Sequence, residues 1–216
     1  MSSARSKVEI GEWGARYYDV FLNLLSAGRY SYFLKEVIGK MDIKPGQSIL
    51  DLGSGTGRND CLMAQKIGPQ GKIVGLDISD EMISRARKRC YNYANISFKK
   101  LRIELPLTYE EEFDKVFISF TLHGFEDDQK LGIIRNAYQA LKPGGHFYVL
   151  DYAEFDINRM WLPLRWAFTR WECQLAVEFL RLDIKGMICA QGFTDVKEEF
   201  FIRRHLRLLN AVKTPG

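Results

Sequence analysis

The stretch ILDLGSGTG (49–57) constrains this chain more than any other: an apolar run carrying an acid, Asp51, breaks into three alternating glycines. Apolar residues ahead of a glycine cluster read as a buried strand running into a tight turn. A turn needs one glycine. Gly53, Gly55 and Gly57 together permit positive φ at several places and remove Cβ atoms that would hold a ligand off the backbone. A helical pattern follows, so the loop lies where a strand becomes a helix. The N-terminus of that helix offers unpaired N–H groups and partial positive charge, which suits a carboxylate or a phosphate. Asp77 then ends the next apolar run, IVGLDIS (73–79), where an acid can accept two hydrogen bonds from a ribose diol. The alternative is a plain turn with a solvated Asp77. The dinucleotide fingerprint G-x-G-x-x-G fails, because its third position falls on Arg58.

The rest of the chain repeats the strand-to-helix rhythm. Strands are expected at Ser48–Leu52, Lys72–Leu76, Ile96–Lys99, Lys115–Phe120, His146–Asp151, Asp195–Phe200 and His205–Ala211, with helices at Asn59–Ile67, Asp80–Tyr93 and Gln129–Leu141. Ser79 suits the N-cap of the second helix, with Asp80 and Glu81 in its first turn. LKPGG (141–145) stops the third helix, since proline cannot continue it. This alternation implies an α/β fold: a doubly wound, seven-stranded, mostly parallel sheet. The short link between the last two strands makes them an antiparallel hairpin at the sheet edge, and FIRRHLRLL (201–209) reads as an edge strand with its charges in water. Residues 12–41 read as an N-terminal helical cap in two pieces broken near 26–28. The expected layout is one domain over 1–216: cap 1–44, core 45–152, a lid at 153–192 and the strand hairpin 193–216.

Composition excludes several classes of function. Among 216 residues the net charge is only +4, which does not suit a nucleic-acid binder. Cys61, Cys90, Cys173 and Cys189 form no CxxC pair or zinc spacing, so each is expected to be a small buried apolar group in a reducing cytosol, and no metal site is expected. The first residues lack the apolar core of a signal peptide, and no stretch is apolar enough to span a membrane, so a cytoplasmic protein is expected.

The motif Asp51-x-Gly53-x-Gly55-x-Gly57 followed by Asp77 resembles that of the class I S-adenosylmethionine-dependent methyltransferases. LDISDEMISRAR (76–87) and ALKPGGHFYVLDY (140–152) match further landmarks of that family. YDVFLNLLSAGRY (18–30) and FDKVFISFTLH (113–123) resemble the ubiquinone/menaquinone-biosynthesis-like subgroup. The resemblance covers roughly 13–212 and implies the Rossmann-like methyltransferase fold with S-adenosylmethionine as cofactor. It also implies roles at matched positions. Gly53, Ser54, Gly55, Thr56 and Gly57 would hold the methionine part, with Asp51 orienting its amino group. Asp77 would hold the ribose, while Ile78, Leu101 and Arg102 would lie at the adenine. Ser119 and Phe120 would face the sulfonium, and Tyr18 would close over the cofactor. One position departs: the family has Gly-Asp after the third strand, whereas FKKLRIELP (98–106) places Lys100-Leu101 there.

Methyl transfer needs a base only where the acceptor must lose a proton. His123, just past the fourth expected strand, fits that role because imidazole titrates near neutrality; it also fits a purely structural one. Tyr17, Tyr18, Asp19, Asp151 and Tyr152 are further groups in reach. The segment 160–182 holds Trp161, Trp166 and Trp171 and an apolar stripe of Leu164, Phe168, Trp171, Leu175, Phe179 and Leu182. It reads as a helix covering the sheet, or as a lid that walls an apolar acceptor pocket and touches a lipid surface. The expected acceptor is a small apolar or amphiphilic molecule such as a quinone precursor. A phospholipid amine and a catalytically silent binding module are the alternatives.

Overall fold

In the computed structural model, residues 30–157 and 174–214 are described below. They form a seven-stranded sheet of order β3-β2-β1-β4-β5-β7-β6, with β1 Ser48–Leu52, β2 Lys72–Asp77, β3 Ile96–Lys100, β4 Phe113–Ser119, β5 Leu141–Tyr152, β6 Phe193–Phe201 and β7 Leu206–Lys213. The first five strands are parallel and β7 is antiparallel to both of its neighbours. The helices are α1 Tyr30–Lys40, α2 Arg58–Ile67, α3 Asp80–Arg89, α4 Asp127–Ala140, α5 Gln174–Phe179 and α6 Ile184–Ala190.

Alternation along the strands supplies two cores. Ile49, Ile73, Phe117, Tyr148 and Leu150 face α1 and α2, meeting Leu34, Val37, Ile38, Met63, Ala64 and Ile67. Leu50, Leu52, Val74, Val116, Ile118 and Val149 face the other way, onto Ile133, Ile134 and Ala137 of α4. Because both faces are covered, the inner strands read as near-continuous apolar runs rather than as alternating ones.

Local chemistry sets the helix ends. The Ser79 hydroxyl accepts from the Met82 N–H at 3.3 Å, and α3 carries Asp80 and Glu81 in its first turn and Arg87, Lys88 and Arg89 in its last. Both charge sets suit the helix dipole. This helix stops at Arg89, with Cys90 as its C-cap, rather than continuing to Tyr93.

Three expectations are corrected. FIRRHLRLL is not an edge strand: β7 lies between β5 and β6, and β6 is the edge. Arg207, only 3 % exposed, donates to Glu154 and Glu198 rather than facing water. The cysteines are not all buried apolar groups. Cys61 of α2 and Cys90 form a disulfide, and Cys189 is exposed. The argument from unpaired thiols to a reducing compartment therefore lapses. Finally, α6 lies in a stretch where no helix was expected. Tyr17, Tyr18, Asp19 and Cys173 lie outside the described residues, as do Trp161, Leu164, Trp166, Phe168 and Trp171. No helix among the described residues is long and apolar enough to cross a membrane.

Candidate functional site

Strand order reverses between β1 and β4, so the crevice beyond their carboxyl ends is the place where this architecture binds ligands. The glycine loop fills the β1 side of that crevice. Gly53, Gly55 and Gly57 have φ of +82°, +53° and +73°, a region where other residues are strained. Two of them are also packing glycines. A Cβ on Gly53 would meet Thr121 Oγ1 at 2.7 Å, and one on Gly57 would meet the Ala86 Cβ at 2.9 Å. Gly55 differs, since among the described residues a Cβ there would meet nothing within 4 Å. Its half-buried backbone, with no packing neighbour at the Cβ position, is the surface a ligand can approach.

The loop amides are more occupied than the sequence suggests. Gly53 and Ser54 both donate to the Leu76 carbonyl at 2.8 Å, and Gly57 donates to the Ser54 carbonyl. Gly55 donates to Asp77 Oδ2 at 2.9 Å, while Ser79 donates to Asp77 Oδ1 at 2.8 Å. Asp77 is thereby fixed at the end of β2 with lone pairs left over for a diol. Its burial raises its pKa, although the backbone donors oppose that shift. Beside it, Leu101 donates its N–H to the Asp77 carbonyl, and Arg102 Nε bonds Glu104 Oε1 at 2.6 Å. Ile78, Leu101 and Arg102 thus gather with Asp77 on the far side of the loop.

On the β4 side, Ser119 ends the strand and Phe120 takes φ of +49°, an uncommon conformation for a bulky residue. Strain of this kind persists where the surroundings hold it, commonly at binding sites. Here the Phe120 N–H donates to the Leu150 carbonyl at 2.8 Å, and its ring lies between Phe33 and Tyr152. His123 follows in a short 3₁₀ turn, Leu122–Gly124. Its Nδ1 lies 2.8 Å from Asp151 Oδ1, its backbone N–H donates to Asp151 Oδ2 at 3.2 Å, and Asp151 is 1 % exposed. Tyr152 and Phe179 flank the imidazole, with ring centres 5.1 and 6.3 Å away. A carboxylate accepts from Nδ1–H, which leaves the basic lone pair on Nε2.

Beneath the loop, Asp51 and Asp60 are fully buried side by side between β1 and α2. Among the described residues no donor is paired with their four carboxyl oxygens, and the two carboxyls lie within hydrogen-bonding reach of each other. Burial raises both pKa values, Asp51 well above the usual range and Asp60 to about 7. A buried acid without a donor is costly unless a cation or a proton compensates it. The open Gly55 backbone, the fixed Asp77 and these orphaned acids together fit a ligand with a diol at one end and an ammonium at the other. S-adenosylmethionine is such a ligand.

The sequence reading missed several neighbours. Thr121 packs on Gly53, and Asp151 was named without its pairing to His123. Tyr30 and Phe33 of α1 were not named either; Tyr30 lies under the Arg58 guanidinium, 5.4 Å from ring centre to Cζ. The aromatic run YSYF (30–33) was the available signal for the last two.

The fold is that of the class I S-adenosylmethionine-dependent methyltransferases. Residues 43–183 match the family described as "Methyltransferase domain", and the chain belongs to that family. Among curated proteins it is similar to the ubiquinone/menaquinone biosynthesis C-methyltransferase UbiE of Enterobacter sp. (strain 638), 31 % identical over 143 residues. That match covers 65 % of this chain and 56 % of the relative, so it spans just over half of the relative's length. Among solved structures, a SAM-dependent methyltransferase from Aquifex aeolicus superposes with TM-score 0.68 at 16 % identity, over 94 % of this chain and 99 % of that one. The Haemonchus contortus phosphoethanolamine N-methyltransferase 2, in complex with phosphomonomethylethanolamine and S-adenosylhomocysteine, gives 0.70 at 17 % identity over 87 % and 53 %.

Proposed function

We propose that the protein methylates carbon, or a hydroxyl, on a small apolar or amphiphilic acceptor resembling a quinone precursor. The observation that carries this reading is the His123–Asp151 pair, 2.8 Å apart beside an aromatic wall at the carboxyl end of the sheet. An acceptor amine attacks through its own lone pair and needs little help. A ring carbon or phenol must shed a proton, and a histidine held in one tautomer by a buried carboxylate suits that task. The similarity to UbiE, by name a C-methyltransferase, supports carbon as the acceptor atom.

The cofactor, when bound, supplies an electrophilic methyl group on a sulfonium. Everything else falls to this chain. Gly53–Gly57 and Asp77 would hold the two ends of the cofactor, and Ser119 and Phe120 would flank its reactive part. Phe120, Tyr152 and Phe179 exclude water and orient the acceptor plane; correct orientation can lower the barrier by roughly 7–11 kcal/mol. His123 Nε2 would take the proton that the acceptor sheds on methylation. Asp151 stabilises the resulting imidazolium. A cavity of about 390 Å³ past the end of β5, lined by Phe155, Ile157, Val177, Leu180 and Arg181 among others, has room for part of the acceptor.

An untargeted comparison of metabolites in deletion and wild-type cells tests the reading. Accumulation of an unmethylated lipophilic phenol or quinol is expected. Accumulation of a phosphoethanolamine-type amine would overturn it in favour of the N-methyl chemistry named for the Haemonchus protein. Tight S-adenosylhomocysteine binding with no accumulated compound would mark a silent binding module.

A further inference from the structure

We propose that Asp60 completes, with Asp51, a buried acid pair that gives up a proton when the cofactor's α-ammonium binds. This rests on assigning the methionine end of the cofactor to the loop above Asp51. Asp60 is not part of the glycine motif. It stands in the first turn of α2, whose other buried residues are Met63, Ala64 and Ile67. On an otherwise apolar face, an acid is the anomaly.

The described surroundings leave these carboxyls without a cation or a side-chain donor paired to them. Among the described residues no donor is paired with the four oxygens of Asp51 and Asp60, which have only each other in reach, and the Ser54 Oγ and Asn59 Oδ1 are likewise without a partner. Native proteins rarely leave such groups unmatched. Charged residues on the adjoining elements do not repair the imbalance. Arg58 of α2 lies over Tyr30, and Arg89 of α3 donates to the Thr56 carbonyl and hydroxyl. Asp77 at the end of β2 adds a third negative charge that raises both pKa values further.

Near neutral pH the pair therefore holds at least one proton in the ligand-free protein. A cation arriving over the loop stabilises the ionised pair, and the proton leaves for solvent. Both acids are fully buried, so Asp60 acts through Asp51 rather than by touching the ligand. It is a positioning residue whose effect is electrostatic.

The linkage has a definite sign. Because protons are released on binding, affinity for the ammonium-bearing ligand rises with pH, by up to about tenfold per unit for each proton released. Calorimetry of S-adenosylhomocysteine at pH 7, in phosphate and in Tris, reads the release directly from the difference in heat. Between half and one proton is expected per ligand. 5′-Methylthioadenosine, which keeps the nucleoside and lacks the amino acid, is expected to release almost none. In Asp60→Asn the release with S-adenosylhomocysteine should fall by at least half while binding persists.

Equal proton release by the two ligands would overturn the proposal, and so would unchanged release in Asp60→Asn. The two-ligand comparison needs only the unaltered protein, so it decides the matter even if the variant folds poorly. Failure of both ligands to bind would instead refute the placement of the cofactor.

Discussion

Burial decides when the Asp60 carboxyl holds its proton, and that has a cost in stability with a definite sign. Its folded-state pKa of about 7 stands above the ordinary 3.8, so between those values the folded protein binds a proton that the unfolded chain does not. The contribution is fully present below about pH 4 and is lost as pH rises through 7. Asp60→Asn should therefore leave stability nearly unchanged below the unfolded-state pKa, at about pH 3.5, and raise it at pH 8. The gain is bounded by about 4 kcal/mol, at about 1.4 kcal/mol per pKa unit. Urea unfolding at both pH values checks this, and equal effects at the two would refute it. His123 carries the second prediction at this scale. His123→Ala should lower kcat by about 10²–10⁴ and leave S-adenosylhomocysteine affinity within about twofold. Asp151→Asn, which removes the charge behind the imidazole, should cost about tenfold or more and shift the pH profile of kcat. Unchanged rates in both variants, with binding intact, would leave a reaction driven by placement alone.

Among the elements, the glycine loop and the caps were legible because their signals are local. Three glycines after an apolar run and a serine before two acids each imply a backbone geometry within a few residues. The disulfide was not legible, since Cys61 in α2 and Cys90 just past the end of α3 lie 29 residues apart, and only the fold brings their Cα atoms to 5.7 Å. The same holds for half of the site: His123 follows a strand end, but only the β4–β5 register sets Asp151 beside it. Gly55→Val tests the loop. A β-branched side chain at φ of +53° is strained and also fills the open space above the backbone. S-adenosylhomocysteine binding should weaken about a hundredfold or more by calorimetry, with far-ultraviolet circular dichroism unchanged. The disulfide tethers α2 to the end of α3 beneath the same loop. Closing 29 residues is worth about 3–4 kcal/mol in the chain-entropy model, so reduction should lower unfolding stability by about 2–4 kcal/mol. No change on reduction would show that the tether contributes nothing to the fold.

Across the whole molecule, a ligand that binds only the folded chain must stabilise all of it. At a hundredfold excess over Kd, S-adenosylhomocysteine should add about 2.7 kcal/mol, a rise of about 5–10 °C in Tm for a chain of this size. NAD should add nothing measurable; an equal shift with NAD would contradict the cofactor assignment. The overall α/β class was legible because strands and helices alternate along the chain. Strand order was not, because no local pattern says that β7 lies inside and β6 at the edge. That order has a consequence for how the chain is made. A ribosome produces β6 before β7, yet among the described strands β6 pairs only with β7, which pairs on its other side with β5 from His146↔Val212 to Tyr152↔Leu206. During synthesis, then, β6 emerges with nothing to bond to, and the open edge of β5 stays exposed until the following strand wedges in between. Two unpaired edges at once favour mispairing with a neighbouring nascent chain, which makes the interval between the emergence of β6 and that of β7 the stage at which a chaperone has most to protect.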